Sequence, residues 1–149
     1  MKKILLIIFL FIPLQLLAVE KTKEEKVAKY VLENIQKDYV TCYSFYKIAA
    51  ESFKKAGKDK QIIKGLEKSA DVSLKFNHDL GEVLGMPTQI MTKKTKKKID
   101  EFTLIAKKDF SSLAKQYGLM CKKLVENQKQ RIDYWEAKGN KIIKWNKKN

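Results

Sequence analysis

The chain has 149 residues, 32 of them basic and 17 acidic, for a formal charge of +15; it is long enough for one domain with its own core. Arg131 is the single arginine. Proteins that read nucleic acid invest in the planar arginine fork, so this lysine-dominated charge does not mark a nucleic-acid reader. One histidine and two distant cysteines exclude a short-spaced zinc site and a C-x-x-C-H haem attachment.

The first element is the leader MKKILLIIFLFIPLQLLAVEK. Lys2 and Lys3 precede an apolar run from Ile4 to Leu17, and Ala18 stands before the polar switch Glu20-Lys21-Thr22-Lys23. This is the pattern of a signal peptide over 1–18, cleaved to place the chain in the periplasm or outside the cell. The apolar run is shorter than the ~20 residues a membrane-spanning helix needs, and Pro13 and Gln15 interrupt it.

Helical periodicity continues through the rest of the chain. The first helix is expected from about Thr22 to Ala56, with the stripe Val27, Val31, Ile35, Tyr39, Cys42, Tyr46, Ala49, Phe53. Gly57 is its expected stop. The second runs from Asp59, a good N-cap, to Leu84, with Ile62, Leu66, Ser69, Ser73, Phe76, Leu80 and Val83 on one face. Gly85-Met86-Pro87 closes it. The third runs from Thr88 to Tyr117, its stripe being Met91, Ile99, Phe102, Phe110, Leu113 and Tyr117; Gly118 breaks it, or it continues through Cys121 and Leu124. A shorter fourth piece covers Gln128 to Ala137 and stops at Gly139-Asn140. The fold class is therefore all-α. The expected arrangement is an up-and-down antiparallel bundle of three to four helices over 19–138, with a basic-aromatic tail over 139–149.

Export favours a disulfide between Cys42 and Cys121. Cys42 sits among Tyr39, Tyr43, Phe45 and Tyr46, without the cationic surroundings that make a thiolate, so it reads as structural. Straight helices object to the bond. A third helix passing Cys42 near residue 100 would carry Cys121 ~30 Å beyond it at 1.5 Å per residue. Either a helix breaks, at Lys37-Asp38 or at Gly118, or the bond does not form.

Five lysines crowd residues 93–98: Lys93, Lys94, Lys96, Lys97 and Lys98. They fall near a helix start, where cations are mildly unfavourable, and this misplacement suggests an anion-binding patch beside the plain alternative of a solvated face. Arg131 precedes Tyr134 and Trp135 by one turn, placed for an ion pair or for stacking on a ring. In the tail, Ile142, Ile143 and Trp145 alternate with lysines, a composition that suits an anionic membrane surface. His78, with Ser69 and Ser73, is the candidate lining of a small-ligand or haem-type carrier pocket in the bundle core. Carboxylate pairs such as Asp79 and Glu82 lie among lysines and read as salt-bridged faces.

No Ser-His-Asp set, phosphate loop or H-E-x-x-H is present, so no enzyme activity, metal or cofactor is expected. Met91-Thr92-Lys93-Lys94-Thr95 is only a distant echo of the L-T-x-x-Q of Spy-like periplasmic chaperones, so no residue role is carried over from them. The expected function is binding. The expected partner is an anionic envelope surface or an acidic protein, with a core-pocket carrier and a chaperone-like protein as alternatives.

Overall fold

The structure, a computed structural model, describes residues 22–143. The expected leader over 1–18 and the end of the tail, 144–149, lie outside them. Among the described residues every element is a helix: α1 (Lys23–Lys55), α2 (Lys60–Val83), α3 (Thr88–Glu126) and α4 (Gln128–Ile142). None is long and apolar enough to cross a membrane.

Local chemistry sets the ends. Thr22 caps α1 reciprocally: its hydroxyl accepts from the Glu25 N–H at 3.2 Å, and the Glu25 carboxylate accepts from the Thr22 N–H at 3.0 Å. At the other end Gly57 takes φ +64°, letting Lys58 N–H reach back to the Phe53 carbonyl at 3.0 Å. Asp59 accepts from the N–H groups of Gln61 and Ile62 and starts α2. Gly85, at φ +66°, ends the α2 turn before Pro87.

α1 is enclosed rather than merely striped. Besides Ile35, Tyr39 and Cys42 it buries Gln36, Asp38, Val40, Ser44, Phe45, Ile48 and Ala50. The other three helices all pack on it. Its buried polar groups are satisfied. The Ser44 hydroxyl donates to the Val40 carbonyl, and the Gln36 side chain donates to Asn77 at 2.6 Å, which donates to Thr95 at 3.3 Å. This chain of amides and hydroxyl ties α1, α2 and α3 together at one level. Such a network is stable only when every member is paired.

The expected face of α2 holds along its middle, where Ser73 is buried and Leu66, Phe76 and Leu80 pack against the core, and fails at its two ends. Ile62 and Val83 are 52% and 70% exposed, while Ile63, Ala70, Ser73, Asn77 and Gly81 are buried. Successive helical residues are about 100° apart, so a shift of one position chooses a different face. Small residues win here because they allow close approach: a Cβ on Gly81 would lie 1.9 Å from Met91 Sδ.

α3 contains the feature that the stripe did not announce. Asp109 is extended (φ −158°, ψ 95°), and its carboxylate accepts from the Ser111 N–H at 2.9 Å, capping the second half of the helix. The break is therefore at Asp109; α1 has no interruption at Lys37-Asp38, and the chain remains helical through Gly118. After the break, contacts march back along α1. Phe110 meets Phe53 with ring centroids 5.9 Å apart, Gly118 faces Phe45, Cys121 joins Cys42, and Gly139 lies against Tyr30 and Val27. The straight-helix objection thus disappears, and Cys42 and Cys121 form a disulfide with Cα atoms 5.2 Å apart. Both cysteines are fully buried, beside Leu113 and Leu124.

α4 does not stop at Gly139-Asn140; it runs to Ile142. Gly139 is there for proximity. A Cβ would stand 3.0 Å from Tyr30 Cδ1 and 3.3 Å from Val27 Cγ1.

Candidate functional site

Residues from α1 and α3 enclose a surface groove of about 370 Å³. α1 contributes Gln36, Lys37, Val40 and Thr41; α3 contributes Lys94, Lys97, Lys98 and Glu101. The spacing explains the faces. Positions 37, 40 and 41 share one side of α1, and 94, 97, 98 and 101 share one side of α3. Lys98 donates to Glu101 at 2.8 Å and lies 5.3 Å from the Phe102 ring centroid. The one acid of the groove is thus already engaged. Among the described residues, Lys37, Lys94 and Lys97 take part in no ion pair. Three cations from two helices therefore converge without a carboxylate of their own.

The lysine cluster of the sequence is divided by this arrangement. Lys94, Lys97 and Lys98 enter the groove; Lys96 faces a different cavity, of about 300 Å³, with His78 and Tyr43; Lys93 is exposed and lines neither. The sequence pattern does not single out Lys37. It is an exposed lysine between the buried Gln36 and Asp38 of α1, which the sequence alone does not show. Ser69 and Ser73, on the α2 face, direct their hydroxyls to the carbonyls of Gly65 and Ser69 in their own helix. Asp79 accepts from Lys75. Among the described residues no three His, Cys, Asp or Glu side chains converge as a metal-ligand set.

Arg131, Tyr134 and Trp135 are brought together around Asp38 of α1. Arg131 donates to the Asp38 carboxylate through Nε at 2.6 Å and Nη2 at 3.1 Å, and Trp135 Nε1 donates to the same carboxylate at 2.6 Å. The guanidinium carbon also lies 4.6 Å from the Tyr134 ring centroid and 4.8 Å from that of Trp135. Tyr30 meets Trp135 edge-on at 6.0 Å. Three donors on one buried carboxylate pin α4 to α1 by charge-assisted hydrogen bonds. Periodicity offers Asp38 only as a place for α1 to break. Nothing local in the sequence distinguishes a buried aspartate from a solvated one.

Burial pushes two phenols up. Tyr39 rises to about 12, from burial alone. Tyr46 also rises to about 12, from burial first and then from the nearby Glu126 charge, with a hydrogen bond to Ser69 opposing. Of the tail, Ile142 is 54% exposed while Ile143 packs against the core; Trp145 lies outside the described residues.

No family model matches this chain, and neither the curated proteins nor the solved structures include one that matches it. Function must therefore be sought in the site itself.

Proposed function

We propose that this chain is an exported helical binding protein that presents the α1–α3 lysine groove to a polyanionic component of the cell envelope. The return of contacts along α1 after residue 109 supports an up-and-down bundle in which the break at Asp109 serves as the third turn. The disulfide is compatible with an oxidising compartment. The observation that carries the reading is the convergence of Lys37, Lys94 and Lys97, without an ion-pair partner among the described residues, around a glutamate held by Lys98. Uncompensated cations that share one concave surface raise the local concentration of anions.

The test is binding of labelled polygalacturonate to the oxidised protein across a salt series. Binding is expected at about 20 mM salt and is expected to weaken steeply toward about 200 mM, as screening shortens the reach of surface charge. Lys94→Glu with Lys97→Glu is expected to weaken it at least tenfold, since each cation near an anionic surface contributes about 1 kcal/mol. Absence of binding at low salt, or an unchanged affinity in the double variant, overturns the groove. Tighter binding of polyglutamate than of the polysaccharide would move the partner to an acidic protein. Export is read separately, from an intact mass in the periplasmic fraction beginning at Val19 and lighter by two hydrogens.

A further inference from the structure

A second concavity, of about 450 Å³, lies in the elbow where the second half of α3 meets α4, and its lining includes no acidic residue. Lys115, Lys123 and Arg131 supply its charge. Lys115 and Lys123 take part in no ion pair of the described residues. Leu119, Met120 and Leu124 supply an apolar floor, and Tyr134 a ring at the rim.

Two features make this more than a patch of surface lysines. The floor is backed by the core: Leu124 is 1% exposed, and Met120 Sδ lies 3.8 Å from Cys42 Sγ of the disulfide. The cation is pre-oriented: Arg131 spends Nε and Nη2 on Asp38 and lies over Tyr134 and Trp135, while Nη1 makes no hydrogen bond among the described residues. A guanidinium held on one edge keeps donors for another acceptor. Leu119 is 65% exposed and Tyr134 48% exposed, so apolar surface lies open beside the cations. A volume of this size falls within the range of about 300–1,000 Å³ typical of small-molecule sites.

We infer that this elbow binds an amphiphilic anion: a molecule with one carboxylate, sulfonate or phosphate head and an apolar body. The head meets Lys115, Lys123 and the Arg131 Nη1 donors. The body covers Leu119, Met120 and the Tyr134 ring. A neutral apolar molecule would leave Lys115 and Lys123 unanswered, and a bare anion would leave the floor wet. The site is separate from the α1–α3 groove and does not depend on that groove's partner.

The test uses the full oxidised protein and 1-anilinonaphthalene-8-sulfonate as probe, displaced by dodecanoate below its micelle concentration. The expected result is saturable one-to-one binding, displaced by dodecanoate and by dodecyl phosphate but at least tenfold less well by dodecanol. Lys115→Glu with Lys123→Glu, and separately Leu119→Asp, should each weaken the probe about tenfold or more. All three positions are exposed, so thermal unfolding should be nearly unchanged and a folding defect is excluded by the same samples. Lys94→Glu with Lys97→Glu should leave probe affinity within twofold. Equal displacement by dodecanol, or full affinity in both elbow variants, overturns the inference. Loss of probe binding in the groove variant would instead place the probe in the groove and equally overturn it. Binding of dodecyl phosphate only as vesicle-embedded lipid would identify a membrane headgroup, not a free amphiphile, as the source of the anion.

Discussion

Removing Arg131 should cost the fold more than neutralising its partner. Asp38 is 8% exposed and accepts three hydrogen bonds, two of them from Arg131. Arg131→Met takes both away and leaves a carboxylate in the interior with only the Trp135 N–H. Stripping one partner from a buried pair costs about 3–5 kcal/mol. The Arg131 side chain is 26% exposed, so water already shares its solvation, and the expected loss is about 3 kcal/mol. Asp38→Asn keeps the shape and an acceptor for Trp135 and leaves the unpaired charge on the side that water reaches. Its expected cost is about 1–2 kcal/mol, the worth of a charge-assisted bond made neutral. The double variant should cost less than the two single losses added together, with a coupling of about 1–3 kcal/mol. Urea unfolding monitored by far-UV circular dichroism, with the disulfide intact in every sample, measures all three. Equal single losses, or a larger loss for Asp38→Asn, would show that Asp38 is not the desolvated partner and would refute the latch.

Three further outcomes are expected. Tyr39 and Tyr46 should ionise near pH 12 in an ultraviolet absorbance titration. Their folded values lie above the ordinary value near 10, so the stability they contribute is whole below pH 10 and is lost as pH climbs from 10 through 12; ionisation of these two near 10 would contradict their burial. Gly81→Ala should lower the melting temperature although alanine is the better helix former, because the new methyl displaces Met91 Sδ; overpacking of this kind costs about 1–3 kcal/mol. Reduction of Cys42–Cys121, which closes a loop of 79 residues, should lower stability by about 4.5 kcal/mol on the chain-entropy account, read as a shift of the urea midpoint with and without reductant.

The sequence carried the helices and their starts well, because those signals are local. Thr22, Asp59, Gly57 and Pro87 act on the residues beside them. It carried the faces less well. Ile62 and Ile63 are chemically equal, and nothing local in the sequence chooses between them, yet Ile63 is buried and Ile62 exposed. The turn at Asp109 was written in Asp109-Phe110-Ser111-Ser112, an aspartate placed to cap the second half of α3, but Phe110 also continued the apolar stripe and masked it. Gly139 looked like a stop and is instead a point of close packing. Of the candidate sites, the lysine run marked one wall of the groove. Lys37 on the opposite wall, and Asp38 beneath α4, become visible only when chain segments about 60 to 100 residues apart are brought side by side.

The position of the disulfide along α1 has a kinetic consequence. Cys42 lies between the Phe53–Phe110 contact and the Tyr30–Gly139 contact, so the bond sits inside the run of pairings that joins α1 to the second half of α3 and to α4. In a reduced chain, Tyr30 must find Gly139 across a sequence separation of 109. In the oxidised chain the path is 12 residues on one side of the bond and 18 on the other. The entropy of closing that loop falls by about 1 kcal/mol, and the seam can close outward in both directions from a fixed midpoint. Oxidised protein unfolded in urea should therefore refold several times faster than reduced protein on dilution, as a chain whose most distant partners have been made neighbours.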